Sequence, residues 1–319
     1  MCLLLFLLAT TIAASCVVSG AESSSINGSC IAAERDALLS FKAGVTSDPS
    51  GLLKSWRGED YCKWHGVSCS SRTGHVVKLD LRNDFIEEDF DAGLRGQISS
   101  SLLALRHLKH LDLSGNYALE GNMAIPEFIG SLKSLTYLDL SNMNFVGRVP
   151  PQLGNLTKLA YIDIHTDFFY AFLSDVSWLA SLHSLQHLDM SGVTLRAAVG
   201  WVHAMNKLPN LTALYLNNCG LNSSTPKLPH HNLTVLEVLD LSRNPFNRPA
   251  ALNWYWDVPS LKFLYTNKCE LSGPFPDELG NLTMLEALDI GWNNIEGMIP
   301  STLKNMCNFV GPKPATRGG

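Results

Sequence analysis

A leucine pattern recurs through most of the chain and limits its fold more than any other feature. The motif is L-x-x-L-x-L, and the first leucine-type residue of its closing L-x-L falls at Leu79, Leu111, Leu138, Ile162, Leu188, Leu214, Leu239, Leu264 and Leu288. Successive gaps are 32, 27, 24, 26, 26, 25, 25 and 24 residues, so one unit is reused with two early insertions. Within L-x-L the leucines point inward and the x residue outward, which describes a short half-buried strand. A single such strand cannot bury its own apolar face. Units stacked in parallel ~4.8 Å apart share one continuous core. Nine of them predict a curved slab about 40 Å long at that spacing, with the x positions lining one concave face.

Two further columns keep the same period. Five residues past each marker the chain bends, and an Asn there can bond backbone groups that the bend leaves unpaired. The column reads Asp84, Asn116, Met143, Asp167, Val193, Cys219, Asn244, Cys269 and Asn293. Met143 and Val193 cannot make these bonds, so local irregularity is expected there. After the bend come LRGQISSSLLAL from Leu94, FVGRVPPQLGNL from Phe145, LSGPFPDELGNL from Leu271 and IEGMIPSTLKNM from Ile295. The Gly permits a tight bend and the Pro stiffens an extended segment. This L-G-x-G-x-I-P form resembles the plant-specific class of leucine-rich repeat. The fold class expected is therefore α/β: a leucine-rich-repeat solenoid, a curved right-handed superhelix with short parallel strands on its concave face and a helical amino-terminal cap.

Four segments are expected. Residues 1–21 read as a signal peptide, apolar from Leu3 to Val18 with small residues ending at Ala21, although no Lys or Arg precedes them; a retained anchor is the alternative. Residues 22–72 form the cap, with a short amphipathic helix over Ala32–Ala43 and with Trp56 and Trp64 to cover the open end of the array. Cys62 and Cys69 can staple it in an oxidising compartment. About nine repeats fill 73–305. Residues 306–319 open a further repeat and run into an irregular tail. Six N-x-S/T sequons, at Asn27, Asn155, Asn210, Asn222, Asn232 and Asn281, agree with secretion. Four of them are Asn-Leu-Thr at one phase of the repeat, so part of that pattern is repeat text. The net charge of −5 and the lack of a Lys/Arg run give no basis for nucleic-acid binding.

The segment CIAAERDALLSFKAGVTSDPSGLLKSWRGEDYCKWHGVSC, from Cys30 to Cys69, resembles the plant leucine-rich-repeat amino-terminal domain. With the repeats, residues 24 to 309 resemble the receptor-like proteins of grasses, relatives of the xylanase-sensing receptor. That resemblance implies a non-enzymatic cell-surface recognition module, in immunity or development, for a protein, peptide or glycan ligand. It implies a co-receptor kinase as partner, since such proteins carry one transmembrane helix and no kinase. Tyr61 stands where the family has the first Cys of a Cys-Cys pair, so the resemblance leaves Cys30 without its usual partner. An inhibitor of a pathogen cell-wall enzyme, similar to polygalacturonase-inhibiting proteins and ending in the apoplast at Gly319, is the alternative, as is a truncated, non-functional product. The final repeat is expected to expose Leu282, Leu285, Leu288 and Ile290 at an uncapped edge.

No enzyme signature is present: there is no Walker loop, H-E-x-x-H, G-x-S-x-G or kinase motif. No cofactor is expected. The ten histidines are scattered without metal-ligand spacing, so no metal is expected. Cys219 and Cys269 share a column two repeats apart, ~10 Å at the sheet spacing, too far to pair. The x inside L-x-L is mostly acidic, at Asp80, Asp112, Asp139, Asp163, Asp189, Asp240 and Asp289, and reads as a solvated face. One residue earlier, four successive repeats place His110, Tyr137, Tyr161 and His187 on the concave side. With Asp139, Asp163, His165, Tyr215 and Tyr265 nearby, these form the candidate ligand site, with Tyr137 and Tyr161 as one aromatic platform.

Overall fold

The computed structural model of the chain describes residues 28–84, 92–121, 123–167, 170–222 and 232–297. Its spine is a ten-stranded sheet. β1 (Val67–Cys69) pairs antiparallel with β2 (Val76–Asp80). Parallel strands then follow in chain order: β3 (His110–Asp112), β4 (Tyr137–Asp139), β5 (Tyr161–Asp163), β6 (His187–Asp189), β7 (Ala213–Tyr215), β8 (Val238–Asp240), β9 (Phe263–Tyr265) and β10 (Ala287–Asp289). Each marker residue pairs with the next marker, from Leu79 with Leu111 to Leu264 with Leu288. This is the expected leucine-rich-repeat solenoid.

The opposite side of the core is closed by short 3₁₀ turns, among them Glu127–Ser131, Pro151–Asn155 and Asp277–Asn281. They bury Ile129, Leu153 and Leu279 against the marker leucines. Each such side chain contributes roughly 1.5–3 kcal/mol relative to exposure. Turn packs on turn closely enough to require glycine: a Cβ on Gly130 would lie 2.2 Å from the Gln152 carbonyl oxygen. The leucines expected at an open edge are not open. Leu282, Leu285 and Leu288 are at most 2% exposed, and Ile290 is half-buried.

Polar side chains close the bend after each strand. Asn244 Nδ2 donates to the Leu216 and Leu241 carbonyls at 2.7 and 2.8 Å, and its Oδ1 accepts from the Cys219 and Leu221 amides, both at 3.0 Å. Asn116 and Asn293 repeat the pattern. Cys219 and Cys269 are free buried thiols that donate to the Met190 and Leu241 carbonyls at 3.2 and 3.1 Å. Burial pushes the Cys269 thiol up to about 12, so it stays protonated and can donate. Met143 and Val193 are buried without such bonds, while Asp84 and Asp167 turn outward. The concave sheet passes these positions unbroken. The irregularity falls on the flank, where a second sheet is in three pieces, and the pair Gly147–Arg148 and Ala171–Phe172, which follows Met143 and Asp167, stands apart from the other two.

The cap begins with α1 (Gly28–Gly44), longer than the Ala32–Ala43 helix expected. Leu38 and Phe41 are buried, and Trp56 packs between Phe41 and Trp64 at 6.0 and 5.5 Å. Buried Glu34 accepts from the Val76 amide at 2.9 Å and pairs with His75 at 3.0 Å, which ties α1 to the first repeat. Cys62 and Cys69 are bonded, with Cα atoms 5.5 Å apart. Tyr61, in place of the family's Cys, is buried edge-on against Trp64 at 6.3 Å. The expectations for Asn27, for the side chain of Cys30, and for the segments 1–21 and 306–319 lie outside the described residues.

Two outcomes are expected. Asn244→Ala should cost about 3 kcal/mol of stability, because it strands buried backbone groups on two repeats; an unfolding midpoint shift equivalent to less than about 1 kcal/mol would contradict the turn ladder. Peptide mapping without reduction should recover a Cys62–Cys69 linked fragment, and a Cys30–Cys62 link would overturn the cap assignment.

Candidate functional site

Parallel register turns one sequence column into one line of side chains. His110, Tyr137, Tyr161 and His187 are paired successively across β3 to β6. Their rings stack with centroids 4.0, 4.3 and 4.2 Å apart and planes within 10° of parallel. Tyr215 continues the line at 5.4 Å but is tilted by 41°. Tyr265 lies two strands beyond Tyr215 and outside the stack. The rings do not form a platform. Their faces are spent on each other, and what remains for the groove is ring edges and tyrosine hydroxyls; His110 Nε2 is buried.

The acidic column is not a solvated face. Asp112, Asp139 and Asp163 are 2, 8 and 7% exposed, and Asp189 is half-buried. Each carboxylate accepts from the backbone amide two residues on, at Ser114, Ser141, His165 and Ser191, over 2.8–3.1 Å. Ser114 and Ser141 add their hydroxyls at 2.7 and 2.6 Å. The aspartates therefore close the turn that ends each strand, a task invisible in a column of letters. Tyr137 and Tyr161 donate to the remaining oxygens of Asp139 and Asp163 at 3.2 and 3.5 Å, so the stack stands over the acidic row.

Crowding and burial set the protonation of this stripe. Burial, reinforced by neighbouring carboxylates, holds Asp112 and Asp139 above the usual carboxylate range and takes Asp189 to about 6. Burial lowers His110 and His187, so their imidazoles favour the neutral form. Burial opposes charge on His165 as well, but its hydrogen bond to Asp163 and the charges of Asp163, Asp189 and Asp139 prevail and lift it to about 9. The sequence missed Asp189 as a site residue. It meets His165 only because the next repeat stacks in register.

The five described sequon asparagines, Asn155, Asn210, Asn222, Asn232 and Asn281, are all exposed. Among the described residues no helix is long and apolar enough to cross a membrane.

Comparison with known proteins agrees with this architecture. Residues 31–70 match the family described as "Leucine rich repeat N-terminal domain", and residues 134–156 and 284–306 match "Leucine Rich Repeat". Receptor-like protein EIX1 of Solanum lycopersicum is 38% identical over 285 residues, which is 84% of this chain. The chain carries a leucine-rich-repeat amino-terminal domain and leucine-rich repeats, and over most of its length it is similar to plant receptor-like proteins. It spans 27% of the length of that relative. Among solved structures, the Arabidopsis receptor kinase HAESA in complex with the peptide hormone IDA and the co-receptor SERK1 is 26% identical, with a TM-score of 0.59 over 87% of this chain and 40% of that one. A plant ice-binding protein shares the fold, with a TM-score of 0.61 at 24% identity over 90% of this chain and 99% of that one.

A titration checks the stack. His110 is lowered in the folded chain, so below the ordinary histidine value the unfolded state takes up a proton first. Its contribution to stability is therefore present above about pH 6.5 and is lost as pH falls. His110→Phe keeps an aromatic ring and removes the proton site. Its melting temperature should fall less between pH 7 and pH 5 than that of the parent chain, and an equal or larger fall would sink the assignment.

Proposed function

We propose that this chain is the recognition part of a plant receptor-like protein, and that it binds its ligand on the concave face over the stack from His110 to His187. The observation that carries the reading is the stack itself. Four half-buried rings, held in register by four repeats, present a fixed row of polar edges at the centre of a groove. Rigid aromatic side chains lose little freedom on binding and suit the centre of an interface. Their faces are unavailable, so the ligand is recognised by hydrogen bonding along the row. A peptide with donor and acceptor groups at regular spacing fits this requirement, as does a hydroxyl-rich chain. His165, Tyr215 and Tyr265 extend the surface, while Asp139 and Asp163 act from beneath it through the tyrosine hydroxyls they hold.

Support comes also from the HAESA complex, whose description names a peptide hormone and a co-receptor on a related ectodomain. By that analogy the partners are an extracellular ligand and a co-receptor kinase. The role is signalling in immunity or development, without catalysis. The location is the secretory pathway and the cell surface, or the apoplast, with glycans on the exposed sequon asparagines.

The test is retention of ligands from the peptide fraction of apoplastic fluid on the immobilised chain, read by mass spectrometry. The double substitution Tyr137→Ala and Tyr161→Ala should weaken capture by a factor corresponding to about 2 kcal/mol or more. Tyr137→Phe with Tyr161→Phe keeps the stack and removes the hydroxyls, and should lose a smaller part. Capture unaffected by the double alanine substitution would place recognition elsewhere.

A further inference from the structure

The position two residues past the acidic column carries a histidine in one repeat only. Three residues past the marker, Ser stands at 114, 141, 191 and 242, with Arg82, Asn217, Asn267 and Gly291 in other repeats; only β5 is followed by a histidine there, His165. A serine suffices to help close the turn, as Ser114 and Ser141 do. His165 reaches farther. Its Nδ1 lies 2.7 Å from Asp163 Oδ1 and 3.9 Å from Asp189 Oδ2 on the neighbouring strand. The three donor atoms lie within 4.8 Å of one another.

We propose that Asp163, His165 and Asp189 form a binding site for a divalent transition-metal ion of the zinc class. The chemistry of the donor set carries the choice of ion. One imidazole nitrogen with two carboxylate oxygens suits zinc and its neighbours, which bind such atoms at roughly 2.0–2.2 Å. Ligands around such an ion lie roughly 3–4 Å from each other, and the two distances from His165, 2.7 and 3.9 Å, are near that range. Calcium prefers six to eight oxygens and magnesium a near-ideal octahedron, which two carboxylates and an imidazole do not supply. The electrostatics agree. Asp139, Asp163 and Asp189 stand on three adjacent strands of the parallel sheet, so their charges repel across a partly buried row. His165 offsets part of that charge, and a divalent ion offsets more.

Access is open as well. Side-chain exposure is 10% at Asp163, 31% at His165 and 17% at Asp189, so the site is sheltered but faces the groove. Three protein ligands leave a fourth position of a tetrahedral ion turned toward that groove. A second cluster of the same residue types, Asp80, His110 and Asp112, serves as the contrast. There Lys78 Nζ already lies 3.0 Å from Asp80 and Arg82 Nε 3.9 Å, which places cations where an ion would sit. His110 is also held by its stacking on Tyr137. Metal spacing was not visible in the sequence because two ligands come from one repeat and the third from the next.

The experiment is calorimetric titration of the chelator-treated chain with zinc chloride and, separately, calcium chloride, with thermal unfolding in parallel. One zinc per chain is expected, with a rise in melting temperature and no matching response to calcium. His165→Gln and Asp189→Asn should each weaken zinc binding at least tenfold and abolish the thermal shift while circular dichroism stays unchanged. Asp80→Asn should leave zinc binding intact. Equal zinc affinity in both site variants would mean that scattered histidines bind the ion, and would overturn the proposal. Absence of zinc binding at millimolar concentration would overturn it too. None of these outcomes depends on the ligand reading, which Tyr137 and Tyr161 test separately.

Discussion

In-register pairing of one marker leucine with the next is the constraint on which the rest of this protein depends. No repeat completes its core alone: the strands before and after close it at the sides, and the 3₁₀ turns close it from the opposite face. That pairing fixes the concave sheet, and the sheet fixes every other column. The Asn and Cys residues at the bend, the aspartates two residues after each ring, and the rings themselves line up because the leucines do. Function on such a frame is written in the departures from the repeat, since the repeat itself has only structural work to perform.

Two of those departures are tolerated in different ways. Met143 and Val193 remove a side chain that bonds the bend, yet the concave sheet continues through them. The disturbance appears on the flank, where strand pairs are short and a missing pair costs little. The cap replaces a cysteine by Tyr61 and still closes. The phenol ring takes up volume beside Trp64, and the Cys62–Cys69 bond and the link from Glu34 to Val76 hold the remainder. A buried aromatic and one short covalent loop thus hold the described part of the cap.

Much of this was legible in the letters. A period of 24 to 27 residues with L-x-L at its centre sets strand, register and concave face, and adjacent columns place His110, Tyr137, Tyr161 and His187 together. What the letters concealed was direction and depth. The aspartates looked solvated because alternation puts them outward, whereas their short side chains fold back onto the amide two residues on and the tyrosines lie over them. Tyr137 and Tyr161 looked like a platform because neighbouring strands bring them together, yet side by side in register they can only stack face to face. Asp189 was hidden for a further reason: contact between His165 and the next strand is a property of stacking, and no window of sequence contains it. The protonation of the stripe follows from depth in the same way.

The spacing of the ring stack has a mechanical consequence. Strands in a sheet stand ~4.8 Å apart, while the four rings are separated by 4.0 to 4.3 Å. The side chains therefore converge as they leave the sheet, as the inner rim of an arch is shorter than its outer rim. Straightening the arch would pull the rings out of contact, and bending it further would press them together. A change of curvature across these four repeats therefore has to open or compress ring contacts, a resistance missing at Lys78, Ala213 and Val238, where the same column holds no flat ring.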